Sequence, residues 1–213
     1  MGLASARATD RRDWWFRISL WLVGGTLAYN VIEAVVAVWF GAEADSVALL
    51  GFGLDSVIET LAGVLVLWRL TAEVGGRDAE QMERIEVRVH RFVGITFLLL
   101  AAYVGAQAGF ALSTQQVPEA SPIGILLAVA SLLIMPLLSW GKLRAAREIG
   151  SSALRAEAME TLACSYLSLT LLLGLAANAA LSWWWADSVA ALLMVPWLIK
   201  EGREGLRGEG CCC

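Results

Sequence analysis

Hydrophilic sequence is scarce in this chain of 213 residues: only 17% are charged, and the longest polar stretch, 69–91, is too short for a soluble domain. Apolar residues make up 58% and mean hydropathy is +0.66, which excludes a globular domain with an ordinary polar surface and indicates an integral membrane protein. His90 is the only histidine. With no Ser/His pair and no lipid-transferase Asp-Gly motif, a membrane hydrolase or lipid enzyme has little support. Of four cysteines, Cys164 falls inside an apolar run, while Cys211, Cys212 and Cys213 end a tail on the reducing side, where disulfides are not expected. The first apolar run is too long for a signal peptide and lacks a small-x-small cleavage site, so it is expected to remain as a span.

Six runs approach the length needed to cross about 30 Å of hydrocarbon as helices: 18–40, 46–68, 92–112, 122–140, 152–181 and 184–199. Lys and Arg are absent from 41–45, 113–121 and 182–186, and all 16 lie at the N-terminus, in 69–91, around 142–155, or after residue 199. Basic residues are retained on the cytoplasmic side, so both termini are expected there. Nine of the tryptophans, among them Trp14, Trp39, Trp140 and Trp183, fall near span ends as an interfacial belt should; Trp21 sits deeper. The expectation is an all-α, single transmembrane domain over 1–213, placed in a bacterial inner membrane.

The stretch Ser46-Val-Ala-Leu-Leu-Gly-Phe-Gly-Leu-Asp55-Ser-Val-Ile-Glu59 returns in register, 105 positions on (46 to 151), as Ser151-Ser-Ala-Leu-Arg-Ala-Glu-Ala-Met-Glu160-Thr-Leu-Ala-Cys164. In both copies a polar pair is spaced i, i+4, which sets both side chains on one helix face. Three carboxylates in hydrocarbon cost about 8–10 kcal/mol even on the lenient insertion scale, so Asp55, Glu59, Glu160 and Cys164 are candidate ligands rather than packing residues. Spans two and five run in opposite directions, and nine residues at 1.5 Å carry each pair roughly 13–14 Å inward from opposite faces. The two pairs therefore meet near the midplane. A 3+3 inverted repeat with a polar site at mid-depth is the usual plan of a secondary transporter.

The paired Ser-x-Ala-Leu motifs with their i, i+4 polar residues resemble the cation diffusion facilitator (CDF) family of divalent-metal/proton antiporters, over about Asn30 to Gly205. The resemblance implies a tetrahedral metal site formed by Asp55, Glu59, Glu160 and Cys164, with Asn30, Glu33 and Glu157 along the pathway. It also implies a homodimer that exports a cytoplasmic divalent ion in exchange for protons, without a prosthetic group, an enzymatic activity or a nucleic-acid partner. Glu160 replaces the family's usual His and Cys164 its usual Asp. Thiolate favours soft ions and Zn accepts the mixed set, so Zn or Cd is the expected cargo. A Mn- or Fe-selective transporter of the same fold is the alternative, as is a non-transporting sensor or adaptor. The sequence reads as a short form lacking the family's cytoplasmic ferredoxin-like domain.

Other residues carry readings of their own. Gly51 and Gly53 let a neighbouring helix approach, because the Asp of an intramembrane protease motif would come one residue earlier. Asn30 and Glu33 either line an outer water path or hydrogen-bond between helices. Glu157, beside Arg155, reads as an entrance or structural charge. Gln107, within Gly105-x-x-x-Gly109, marks a close-packing face within one subunit or between two. His90 reads as a solvated interfacial residue, Asp187 as the N-cap of span six, and the three terminal cysteines as a collector of soft metal ions, a lipid-attachment site or an incidental tail.

Overall fold

The computed structural model describes the backbone of 2–74, 79–119 and 121–207, and the side chains of 11–71, 91, 94–119, 121–151, 153–155 and 157–207. Among the described residues the elements are six helices: α1 (Gly2–Glu43), α2 (Val47–Val74), α3 (Ala79–Thr114), α4 (Pro122–Ile149), α5 (Ser152–Leu181) and α6 (Ala186–Arg207). Five of them, α1 to α5, hold stretches long and apolar enough to cross a membrane. The chain is an all-α integral membrane protein. In α6 the apolar stretch is short, closing at Lys200, and the helix completes the bundle along α3 and against α5.

Helix pairing follows the repeat. The most extensive contacts are α1 with α2, α4 with α5, and α3 with α6. Exchanging the first three helices for the last three turns each of these pairings into itself or its counterpart, as it does α2–α3 and α5–α6. The α1–α4 and α2–α5 contacts lie across the exchange, so the two repeat motifs face each other at the centre.

The shared letters of the motif now have physical meanings. Ser46 Oγ accepts from the Leu49 N–H at 3.1 Å, and Ser151 Oγ accepts from the Leu154 N–H at 3.3 Å, so each serine caps its helix at N-cap-to-N3 spacing. Ala48 and Leu49 are fully buried, and so, within a few per cent, are Ala153 and Leu154. Ser56 and Thr161 also occupy matching positions, each directly after the first acid of its pair.

Small residues set how closely helices approach. A Cβ on Gly53 would stand 2.9 Å from Ala37 Cβ and 2.9 Å from the Val38 nitrogen, so this glycine brings α1 against α2 as the sequence suggested. Gly94 and Gly202 meet across α3 and α6: a Cβ on Gly94 would stand 2.8 Å from the Gly202 carbonyl oxygen. Phe52, Phe97, Met135, Leu167, Leu171 and Met194 fill the space between the halves. Ser121 caps α4 with Pro122 at its first position, and Gly150, at φ 72°, ends it in the left-handed conformation.

Enlarging Gly202 should force α3 from α6. Gly202→Leu is expected to destabilise the protein by about 1–3 kcal/mol in detergent thermal unfolding, whereas Gly25→Leu, with nothing within 4 Å of its Cβ position, should be near neutral.

Candidate functional site

Helical spacing places Asp55 and Glu59 one turn apart on α2, and α5 brings Glu160 to face them. Together with Phe97, Ala163, Trp197 and Glu201 they line a narrow cleft of about 10 Å³, near the lower limit for one water molecule. Three of the four ligand candidates thus share one opening. Glu201, from α6, is a fourth carboxylate there that the sequence reading did not single out, because it follows the apolar run among other charges. Burial, then the Glu204 carboxylate, pushes its carboxyl above the usual range, and the Lys200 ammonium works the other way. Among the described residues, no group of three His, Cys, Asp or Glu side chains is arranged to hold a metal ion.

Cys164 is buried one turn beyond Glu160 but does not line the cleft. Its Sγ lies 3.9 Å from Glu33 Oε2, behind Glu59. Glu33 is fully buried and joins three helices: Ser56 of α2 donates to Oε2 at 2.8 Å, and Ser131 of α4 donates to Oε1. Tyr29 and Ser131 share a further hydrogen bond of 2.7 Å. Glu33 thus makes interhelical hydrogen bonds. Asn30 and Glu59 differ. Neither Asn30 amide atom nor either Glu59 oxygen has a hydrogen-bond partner of normal geometry, although Asn30, Thr161 and Cys164 stand around the Glu59 carboxylate.

Glu157 carries a buried ion pair. It is 2% exposed, and the Nζ of Lys142, itself 0% exposed, donates to its Oε1 at 2.6 Å and to Thr161 Oγ1 at 2.9 Å. Sequence reasoning counted Lys142 among the basic residues of a loop. The helix in fact continues to Ile149, and the side chain turns into the bundle between α4 and α5. Only its isolation at the edge of an apolar run, three residues after Ser139, hinted at this.

Asp187 also departs from expectation. It lies within the first turn of α6, and its carboxylate accepts from Ser46 Oγ and from the Ala48 N–H at 3.3 Å, so it supports the start of α2 rather than capping its own helix. Gly105 makes only ordinary contact, 3.9 Å to Val195, and Gly109 and Gln107 are exposed, so that face does not pack closely within the subunit. The side chain of His90 and residues Cys211 to Cys213 lie outside the described residues.

Residues 26–207 match the family profile of the cation efflux transmembrane domain. Among curated proteins, the chain is 24% identical over 155 residues to transmembrane protein 163 of Xenopus laevis, covering 73% of this chain and 54% of that protein. It is likewise 24% identical over 171 residues to the uncharacterized transporter sll1263 of Synechocystis, covering 78% and 55%. The chain therefore spans about half the length of the curated relatives it matches.

The Asp187 assignment predicts coupling between α6 and α2. Asp187→Ala should cost about 1 kcal/mol, and its effect should be non-additive with Ser46→Ala by at least about 0.5 kcal/mol in a double-mutant cycle of thermal unfolding. An Asp187 that capped only α6 would give additive losses.

Proposed function

The chain belongs to the cation efflux family, and we propose that it is a cation transporter that exports a divalent ion from the cytoplasm in exchange for protons. The observation that carries this reading is the cleft where Asp55 and Glu59 of one repeat face Glu160 of the other. Acids in hydrocarbon are retained for function, and a site between inverted repeats can be exposed to either face by rocking one half against the other.

The proposed cargo site is Asp55, Glu59, Glu160 and Cys164, with Asn30, Glu33 and Glu157 along the pathway. The two unpartnered oxygens of buried Glu59 support a ligand role, since such acceptors are otherwise costly. Four groups that are anionic when they bind metal repel one another, and only a cation can draw them together. Cys164 would then turn from Glu33 toward Glu59. Metal binding requires deprotonated carboxylate and thiolate, so cation and proton compete for the same lone pairs and their movements are coupled. The sulfur supports Zn or Cd over hard ions. Basic residues gathered at one end support cytoplasmic termini, and a bacterial inner membrane is the proposed location. Exposed Gln107 beside Gly105 and Gly109 on α3 supports a homodimer through that face.

Purified protein in proteoliposomes should show proton flux that depends on added Zn or Cd. Asp55→Ala and Glu160→Ala should each abolish it while leaving a folded protein; wild-type flux in either would sink the shared site. Cys164→Asp should move the preference from Cd toward Zn or Mn, and an unchanged ratio would leave sulfur outside the ligand set. Truncation after Gly210 should preserve flux at saturating metal.

A further inference from the structure

We propose that the Lys142 ammonium is a tethered cation that competes with the transported ion for the carboxylates between α2 and α5, and so sets how tightly that ion is held. The inference rests on the cation site of the preceding subsection. It starts from an imbalance of hydrogen-bonding atoms. An ammonium has three donors, and Lys142 uses one on Glu157 Oε1 and one on Thr161 Oγ1. Around it, Glu157 Oε2 and both oxygens of Glu59 are buried acceptors without partners. The charge on Lys142 acts on Glu59 and Glu160 as well as on Glu157. One donor of Lys142 is therefore left over beside Glu157 Oε2, while Thr161, which it already bonds, stands with Asn30 and Cys164 around the two unpartnered oxygens of Glu59, a proposed ligand.

The repeat shows that a cation is not required merely to join the helices. Ser56 and Thr161 are equivalent by register, each following the first acid of its pair. On Ser56 the first half seats the carboxylate of Glu33, from α1; on Thr161 the second half seats the ammonium of Lys142, from α4. The same hydroxyl position thus holds opposite charges in the two halves. Buried ion pairs seldom add net stability over well-packed apolar residues, and α4 and α5 already pack along their lengths. What the ammonium adds is positive charge at the Glu59 side of the cleft. With no ion bound, that charge offsets the mutual repulsion of Glu59, Glu157 and Glu160. An entering divalent ion is repelled by the ammonium, which stays on Glu157, and that repulsion favours release.

The test is equilibrium binding of Cd²⁺ and Zn²⁺ to the purified full chain by calorimetry, alongside flux. Lys142→Met alone leaves Glu157 charged and unpaired, so the informative variant is Lys142→Met/Glu157→Gln, which keeps the pair neutral and close in volume. Compared with Glu157→Gln alone, from which it differs only by loss of the ammonium, it should bind Cd²⁺ at least about tenfold more tightly. Its maximal flux should fall as release slows. Lys142→Arg, which keeps the charge, should stay within about threefold of wild type. Equal Cd²⁺ affinity in the folded Glu157→Gln and Lys142→Met/Glu157→Gln variants overturns the proposal and identifies Lys142 as a structural clamp. Asp55→Asn is measured in parallel: if it binds with wild-type affinity, the cation site itself is wrong, and the two failures are told apart.

Discussion

Hydrocarbon does not hydrate a charge, and every other feature of this bundle is arranged around that fact. Five acidic groups, Glu33, Asp55, Glu59, Glu157 and Glu160, converge where α1, α2, α4 and α5 meet. Each is answered differently. Glu33 receives hydroxyls from two neighbouring helices, Glu157 receives an ammonium, and Asp55, Glu59 and Glu160 share a cleft. The helix pairing is the geometry that lets these answers exist together. A shift of α1 or α4 by one turn would remove Ser131 from Glu33 or Lys142 from Glu157, exposing a carboxylate to lipid or leaving it buried alone.

The fold was legible in the sequence wherever a residue's role is local. Apolar run lengths located α1 to α5, and the repeated Ser, Ala and Leu marked caps and core positions that depend only on helix periodicity. The cleft was legible for the same reason, since two i, i+4 pairs on inverted helices can meet only at mid-depth. What was hidden depends on contacts between distant segments. Lys142 looked like an interfacial charge because the positive-inside rule groups residues by position along the chain, and nothing in one helix reveals that Glu157 and Thr161 wait on another. Asp187 sat where an N-cap belongs, but Ser46 and Ala48, well over a hundred positions away, took its oxygens. Glu201 was passed over because charge in a polar flank carries no periodic signal.

The substitutions within the repeat show what symmetry leaves free. Capping serines, buried alanines and buried leucines agree between halves because both helices need a start and a tight seam. The polar residues differ: Asp55 against Glu160, Glu59 against Cys164, and the partners of Ser56 and Thr161 opposite in charge. A site built from two identical halves would present the same field to both membrane faces. With Glu33 on one side and Lys142 on the other, the field is directional, and a cation crossing it meets attraction and repulsion in a fixed order.

The two ends of the bundle are secured unequally as well. At the end without basic loops, Ser46 and Asp187 join α2 to α6, the Glu119 N–H bonds the Ala44 carbonyl at 2.9 Å, and Asn178 Nδ2 bonds the Pro118 carbonyl at 3.0 Å. These links tie the ends of α1, α2, α5 and α6 together through the loops between them. The cleft runs from Asp55 and Glu160 toward Glu201, past the apolar stretch of α6 and away from those ties. A bundle stapled at one end and lined with carboxylates toward the other fits, in the proposed cycle, a state in which the site faces the basic end. In the proposed cycle, any tilt of α2 relative to α6 breaks the Ser46–Asp187 contact, because that contact holds the first turn of α2 on α6. The polar contact that starts α2 is thus also the contact that rocking has to undo, which ties the stability of a helix terminus to the rate at which the site can change sides.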